Sequence, residues 1–208
     1  MNYDIYLVGV GGQGVLTICE ILTEAAVSRG IPVSFYPTKG MAQRGGHVKG
    51  QVRIGRQVVG PNVAEKSADL VIATELSEAL KAVRYLKPGG DFILYAHVWA
   101  PTAVMLGKEP YPTPEQVVEE IRKAGGTVHY LDPQKLPSYE GAPVPDNIFI
   151  LGATFGRTQL GRILHPSDAV QAMKARWKRG VERNLFAFQA GLEAQSELPN
   201  GEKASEKR

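Results

Sequence analysis

Three glycines near the N-terminus have the spacing of a phosphate-binding turn. Gly9, Gly11 and Gly14 stand between a predicted strand and a predicted helix, in the pattern G-x-G-x-x-G. Glycine permits a positive φ in such a turn and lets backbone N–H groups approach a phosphate closely. With the intervening Gly12 and Gln13, these residues predict a binding site for an anion or a nucleotide. The alternative is that the glycines only allow a tight turn between strand and helix.

A second glycine-rich segment follows at Thr38–Gly46, with the sequence TKGMAQRGG. We expect it to complete the anion site, and its candidate binding residues are Lys39, Gln43, Arg44, Gly45 and Gly46. An arginine can hold a phosphate or a carboxylate through two hydrogen bonds, and paired glycines leave room for the ligand beside the backbone. For Arg44 the alternative is an ion pair that fixes the loop to a partner chain.

The distribution of charge favours an anionic ligand at these loops. The chain has a net charge of only +3, yet the stretch between Glu24 and Glu65 contains six lysines and arginines and no acidic residue. A segment of one sign raises the local potential and attracts ligands of the opposite sign. Solvated cations on a surface hairpin are the alternative.

The second predicted strand, Ile31–Tyr36, bears on which nucleotide would bind. Folds that bind NAD usually place Asp or Glu near the end of this strand to contact the ribose, and the sequence has no carboxylate there. NAD is therefore the weaker candidate. Lys39 and Arg44 suit a ligand with an additional phosphate, such as NADP or coenzyme A.

Alternating strands and helices predict the fold that positions these loops. After the strand Asp4–Val8 and the helix Val15–Arg29, buried strands are predicted at Asp69–Thr74, Phe92–Ala96 and Thr127–Leu131. This alternation is typical of a Rossmann-like α/β fold, doubly wound, with a mostly parallel sheet. Here it ends in C-terminal helices. The first glycine-rich loop then lies at the carboxyl edge of the sheet, where such folds bind ligands.

Other segments complete the domain. His47–Ile54 and 57–59 are predicted to form a hairpin, whereas the apolar pattern of Asn147–Gly156 fits a strand or a helix equally. Residues 1–194 are expected to form a single domain. Residues 195–208 are mostly polar with balanced charges and are expected to be a flexible tail.

The composition excludes several classes of function. The net charge is too small to indicate nucleic-acid binding, and the longest apolar stretches are too short to cross a membrane. With no signal-peptide pattern and one cysteine, Cys19, we expect a reducing, cytoplasmic setting. One cysteine cannot form an intrachain disulfide or hold a [4Fe–4S] cluster alone. No metal-ligand pattern or catalytic constellation is recognisable, so the chain lacks a self-sufficient active site.

Two segments together carry a resemblance to a known family. VGVGGQGVLTICEILTEAA (Val8–Ala26), followed by TKGMAQRGGHVKGQVRIG (Thr38–Gly55), resembles the gamma-type subunit of the 2-oxoacid:ferredoxin oxidoreductases, and most closely their indolepyruvate branch. The resemblance implies a multisubunit enzyme that decarboxylates a 2-oxoacid on thiamine diphosphate, passes the acyl group to coenzyme A and sends electrons to ferredoxin. It also implies that a large alpha-type partner subunit carries the thiamine diphosphate, its Mg²⁺ and the [4Fe–4S] clusters, and that this chain alone binds no cofactor.

On this resemblance, the chain packs on the partner and lines the acyl-acceptor side of the cleft, with Gly11–Gly14 and Gln43–Gly46 as its contribution. Indolepyruvate or another arylpyruvate is the expected substrate. Two other hypotheses follow from the residues alone: a self-contained NADP-dependent reductase, and a non-catalytic nucleotide-binding regulator.

Overall fold

The computed structural model describes residues 2–38, 46–55, 60 and 62–199. These residues build a central sheet of six strands in the order β2–β3–β1–β4–β5–β6. The strands are β1 (Tyr3–Val10), β2 (Val33–Thr38), β3 (His47–Ile54), β4 (Ala68–Ala73), β5 (Leu86–Tyr95) and β6 (Thr127–Leu131). A separate two-stranded ribbon pairs β7 (Ser138–Tyr139) with β8 (Ala142–Pro143).

Helices connect these strands and then close the domain. Those found in the described ranges are α1 (Val15–Ser28), α2 (Leu76–Ala82), α3 (Thr102–Met105), α4 (Pro114–Lys123), α5 (Asp146–Arg157), α6 (Leu160–Ile163), α7 (Pro166–Arg176) and α8 (Val181–Glu193). Single 3-10 turns occupy Val83–Tyr85 and Pro133–Lys135. In this part of the chain, none of the helices combines the length and the apolar character that a membrane span requires.

The sheet is mostly parallel. β1, β4, β5 and β6 form parallel pairs, whereas β3 is antiparallel to both of its neighbours, β1 and β2. Only β3 therefore runs against the common direction. The predicted mixed α/β fold with C-terminal helices is confirmed.

Two hydrophobic cores lie on the two faces of the sheet. One joins Ile5 and Leu7 of β1 to α1, α5, α7 and α8, and the other joins Tyr6 and Val8 to α2 and α4. Successive side chains of a strand point to opposite faces, so β1 contributes to both cores. All eight of its residues are buried for this reason.

The hairpin predicted between His47–Ile54 and 57–59 is wrong. β3 pairs with β1 along one edge and with β2 along the other, so the strand has no free edge for residues 57–59. Those residues themselves lie outside the described ones. The sequence shows the strand but not its partners, because the period of two is the same whichever strands lie beside it.

The ambiguous segment Asn147–Gly156 is part of the helix α5. Its residues from Ile148 to Phe155 are all buried, because the helix lies between the sheet and α8. A helix that is apolar on all sides gives no clear period of 3.6, so its pattern resembles that of a buried strand.

The C-terminal segment is docked as far as the structure describes it. The Tyr130 N–H of β6 donates to the Ser196 hydroxyl at 2.8 Å, and Leu198 is buried in the second core. Lys135 and Glu197 form an ion pair beside them. Residues 195–199 therefore differ from the flexible tail that the composition predicts, while 200–208 lie outside the described residues.

Two glycines bring α5 and α8 into backbone contact. A Cβ atom on Gly152 would lie 2.1 Å from the Phe188 carbonyl oxygen, and one on Gly191 would lie 2.1 Å from the Phe149 carbonyl oxygen. Real side chains do not approach backbone this closely. The two helices can therefore pack at this distance only with glycine at both positions.

We predict that Gly152→Ala lowers the free energy of unfolding by about 1–3 kcal/mol, because the added methyl group forces the helices apart. This cost exceeds the gain of up to about 1 kcal/mol from the better helix propensity of alanine. Urea unfolding of both variants measures the difference. Gly60→Ala is the matched control, because a Cβ atom there meets nothing within 4 Å. Equal stability of Gly152→Ala and the parent chain would contradict the packing described above.

Candidate functional site

Gln13 ties the first glycine-rich loop to the end of β4. Its Oε1 accepts hydrogen bonds from the Val10 N–H at 3.0 Å and from the Thr74 hydroxyl at 2.5 Å, and its Nε2 donates to the Thr74 carbonyl oxygen at 3.1 Å. Gly9 leaves room for this arrangement, since a Cβ atom there would lie 1.9 Å from Thr74 Oγ1. Gly9 and Gln13 thus hold the loop in place, and their part in ligand binding stays a prediction.

The two glycine-rich loops meet through their backbones. The Gly11 N–H donates to the Gly46 carbonyl oxygen at 2.8 Å. The structure thereby brings the first loop to the end of the second, and it uses the Gly11 N–H inside the chain. The remaining candidates of the second loop lie outside the described residues: Lys39, Gln43, Arg44 and Gly45.

Gly12 and Gly14 have the backbone conformation that the turn requires. Their φ angles are 101° and 68°, in the region that favours glycine. Gly14 immediately precedes α1, a helix with no side-chain cap and no acidic residue in its first turn. The first-turn N–H groups of a helix and its partial positive charge favour an anion. We call the surface formed by Gly11–Gly14 and Gly46 the glycine rim.

Gly14 also permits a close contact with α5. A Cβ atom on Gly14 would lie 2.3 Å from Asn147 Nδ2. The Asn147 N–H donates a hydrogen bond to the carboxyl group of the preceding residue, Asp146, at 2.8 Å. Burial raises the pKa of this carboxyl group. The start of α5 thus lies against the glycine rim.

A buried carboxylate at this edge organises α2. Glu75 is fully buried, and its Oε2 accepts hydrogen bonds from the Glu78 N–H and the Ser77 hydroxyl, both at 2.8 Å. Its Oε1 accepts from the Tyr111 hydroxyl. Burial, and then the hydrogen bond to Glu75, raise the pKa of Tyr111. The phenol therefore stays protonated and acts as a donor.

A second carboxylate, Glu78, faces the start of β3. Its Oε2 lies 2.5 Å from His47 Nδ1 and its Oε1 lies 2.9 Å from Lys81 Nζ. The Glu78 side chain is 7% exposed, against 45% for His47. Two carboxylates therefore stand close to the glycine rim, so its surroundings are not uniformly positive as the charge distribution of the sequence suggests.

The sequence contains a signal for these residues. Thr74 and Glu75 directly follow the apolar run DLVIA, and polar residues that end a buried parallel strand lie at the carboxyl edge of the sheet. Glu75 followed by Glu78 also fits the spacing of a helix N-cap and its third position. Tyr111 gives no such signal, because it reaches Glu75 from a distant connection.

The described residues contain no group of three or more His, Cys, Asp and Glu side chains that could hold a metal ion. Cys19 is fully buried, and burial raises the pKa of its thiol. Its Sγ packs against β3, where a Cβ atom on Gly50 would lie 2.4 Å away. Cys19 is therefore a packing residue, since a nucleophilic thiol needs access and a lowered pKa.

An exposed apolar segment, Val98–Leu106, follows β5 at the carboxyl edge. The exposed fractions are 57% for Val98, 48% for Trp99, 69% for Met105 and 63% for Leu106. The Trp99 N–H donates to the Tyr111 hydroxyl at 3.2 Å, which ties the segment to Glu75. Several large apolar side chains exposed together are typical of an interaction surface.

These features are those of a binding domain of the α/β class. A doubly wound α/β domain presents a glycine rim and an apolar surface at one edge, and no catalytic constellation is recognisable among its described residues. Residues 4–194 match the family described as pyruvate ferredoxin/flavodoxin oxidoreductase, and the chain belongs to this family. The resemblance drawn from the two glycine-rich segments is thereby confirmed, and so is the role of an oxidoreductase subunit.

Known relatives agree with the family assignment. The indolepyruvate oxidoreductase subunit IorB of Methanothermobacter thermautotrophicus is 33% identical over 198 residues, which are 95% of this chain and all of that protein. The gamma subunit of a keto/oxoacid ferredoxin oxidoreductase from Geobacter sulfurreducens has a solved structure with a TM-score of 0.64 at 25% identity, covering 93% of this chain and 95% of that chain.

The fold is also shared with the pyruvate oxidoreductase subunit PORC from Thermotoga maritima. Its crystal structure matches with a TM-score of 0.67 at 20% identity and covers 92% of this chain and 96% of that chain. This likeness confirms the fold.

We predict that Gln13→Ala destabilises the domain by about 1–3 kcal/mol, because the Val10 N–H loses its acceptor and the buried Thr74 hydroxyl keeps only its long contact with the Val8 carbonyl oxygen at 3.4 Å. Thermal unfolding with calorimetry measures the loss. Gln134→Ala is the matched control, because Gln134 is exposed. If both variants unfold at the same temperature, the Gln13 amide does not anchor the loop.

Proposed function

We propose that this chain is the small subunit of a thiamine diphosphate-dependent oxidoreductase that converts an arylpyruvate, with indolepyruvate as the first candidate, to its acyl-coenzyme A and reduces ferredoxin. The supporting observation is the match to an indolepyruvate oxidoreductase subunit over 95% of this chain and the full length of that relative. A match of this extent leaves no room for an additional reductase domain within the aligned region.

The iron–sulfur clusters of such an enzyme require more thiolates than this chain offers. A [4Fe–4S] cluster takes four thiolates, whereas the sequence has one cysteine, which is buried. The clusters are therefore assigned to a larger alpha-type partner in the cytoplasm, and the family resemblance implies that this partner also carries the thiamine diphosphate and its Mg²⁺. The cofactors carry the difficult chemistry, and this chain contributes binding and positioning.

The contribution we assign to this chain is the acyl-acceptor side of the cleft. The glycine rim is supported by positive φ angles at Gly12 and Gly14, by the uncapped start of α1 and by the contact of Gly11 with Gly46. These features suit the pyrophosphate of coenzyme A, because side-chain-free backbone and a helix N-terminus both favour phosphate. We assign Arg44 to a second contact with the same group, from the sequence of the loop that ends at Gly46.

The apolar segment Val98–Leu106 is our candidate for the partner interface. It lies at the same edge as the glycine rim, so a partner seated on it would bring its cofactors to the coenzyme. Met105 contributes its exposed side chain from α3 and is not part of either core. A charge placed there would be buried by association at a high cost.

Co-expression of this chain with a larger alpha-type partner chain tests the proposal. We expect a coloured, cluster-bearing complex that reduces ferredoxin when indolepyruvate and coenzyme A are both present. Met105→Asp should reduce recovery of the complex at least about tenfold, since one buried unpaired charge costs more than 1.4 kcal/mol. Val27→Asp is the matched control, because Val27 on α1 is 62% exposed, close to the 69% of Met105. An isolated chain that reduces a carbonyl with NADPH would contradict the proposal.

We further predict that Arg44→Ala raises the KM for coenzyme A in the assembled enzyme. Loss of a charged hydrogen bond corresponds to roughly 1.5–3 kcal/mol, or about tenfold to hundredfold in KM. Arg44→Lys should restore only part of the loss, because lysine lacks the bidentate geometry. Size-exclusion chromatography checks assembly of each variant. Normal assembly with an unchanged KM would remove Arg44 from the site, whereas loss of assembly would make it an interface residue.

A further inference from the structure

A basic cleft adjoins the glycine rim on the face of the sheet that carries α2. It has a volume of about 220 Å³ and lies between β1, β3 and the end of α2. Four of its lining residues have basic side chains: His47, Lys49, Lys81 and Arg84. None of the described lining residues is acidic, although the buried Glu78 carboxylate contacts both His47 and Lys81. We call this pocket the basic cleft.

Lys49 is the residue of the basic cleft that most strongly indicates an anionic ligand. Its strand lies inside the sheet, between β1 and β2, and its side chain is half-buried. No described carboxylate pairs with it, and the undescribed residues nearest to it in sequence, 39–45, 56–59 and 61, contain no Asp or Glu; the acidic residues outside the described part of the chain are Glu202 and Glu206. A partly buried ammonium group without a counter-ion is unfavourable. An anion from solution would supply the missing charge.

The other two permanent cations of the basic cleft, Lys81 and Arg84, have largely exposed side chains. Lys81 is 66% exposed and pairs with Glu78 at 2.9 Å, while Arg84 is 62% exposed and lies 3.6 Å from Glu65. Exposed ion pairs contribute little to stability. The Arg84 guanidinium can therefore exchange Glu65 for an anion at small cost, whereas Lys81 would share its charge between the anion and the buried Glu78 carboxylate.

Two stacked rings complete the lining of the basic cleft. The rings of Tyr6 and Tyr85 are 4.0 Å apart and nearly parallel, and the Arg84 guanidinium lies over the Tyr85 ring at 5.0 Å. The Arg84 guanidinium also donates to the Tyr85 hydroxyl at 3.1 Å. This contact keeps the positive charge at the cleft rather than free in solvent.

We propose that the basic cleft binds a phosphomonoester dianion and that, in the assembled enzyme, this dianion is the 3′-phosphate of coenzyme A. The assignment of its source rests on the proposed function. The basic cleft and the glycine rim adjoin at His47, which directly follows Gly46, the residue that accepts the hydrogen bond of Gly11. One nucleotide can therefore place its pyrophosphate at the rim and its phosphomonoester among Lys49, Lys81 and Arg84. Because Lys81 also pairs with Glu78, Lys49 and Arg84 supply the two positive charges that balance a dianion.

Direct titration of the full chain tests the site without any partner. At low ionic strength, where exposed charges are least screened, calorimetry should show binding of adenosine 3′-monophosphate and none of adenosine. Lys49→Met keeps the unbranched stem and should weaken the nucleotide at least about tenfold, whereas Lys49→Arg should retain it. Lys123→Met is the matched control: it removes the same charge from α4, outside the cleft. Circular dichroism confirms that each variant is folded.

Equal affinity of the parent chain and Lys49→Met for adenosine 3′-monophosphate would overturn the site. The source of the phosphate is decided in the assembled enzyme by comparing coenzyme A with dephospho-coenzyme A. Lys49→Met should raise the KM for coenzyme A and leave the KM for dephospho-coenzyme A unchanged. If it weakens adenosine 3′-monophosphate but changes neither KM, the cleft binds a separate small phosphate and the assignment to the coenzyme is wrong.

The glycine rim is tested separately by Gly12→Val. Valine at a φ of 101° is strained, so this variant should raise the KM for both coenzymes. If it raises neither, the proposed role of the rim fails while the result for the cleft stands. Failure of the further inference and failure of the proposed function are thus distinguishable.

Discussion

The amide of Gln13 fixes the geometry on which the whole carboxyl edge depends. It joins three backbone or hydroxyl groups of β1 and the end of β4, and it does so in a region where Thr74 is buried. A buried polar group that lost these bonds would be costly, so the loop has one arrangement. The positive φ angles of Gly12 and Gly14, the start of α1 and the contact between Gly11 and Gly46 all follow from that anchored loop.

Charge at this edge is divided between two places. Glu75 and Glu78 are buried at the carboxyl edge, where they form hydrogen bonds that position α2, Tyr111 and His47. The cations Lys49, Lys81 and Arg84 line a cleft without an acidic lining residue in the described part of the chain. The carboxylates therefore act within the fold, while Lys49, Lys81 and Arg84 line the basic cleft beside the glycine rim.

The chain is best understood as one part of a larger catalytic unit. It belongs to the pyruvate ferredoxin/flavodoxin oxidoreductase family, and its own groups suit binding and positioning better than bond making. Its sole cysteine is buried, its buried carboxylates are engaged, and its exposed apolar segment stands at the edge where a ligand would bind. This division explains why sequence motifs for catalysis are missing from a member of an enzyme family.

The sequence alone determined the α/β class and the mostly parallel, doubly wound sheet, because hydrophobic period is a local property of the chain. Glycine spacing is local too, and the ligand-binding role that it indicates for Gly9–Gly14 stays a prediction. The sequence also pointed to the family through two glycine-rich segments. Tertiary structure decided what depends on distant partners: β3 lies between β1 and β2 instead of forming a hairpin, and Gln13 contacts Thr74. Likewise, Lys49 joins Lys81 and Arg84 in one cleft. A side chain's neighbours across a sheet are set by strand order and register, which no local pattern encodes.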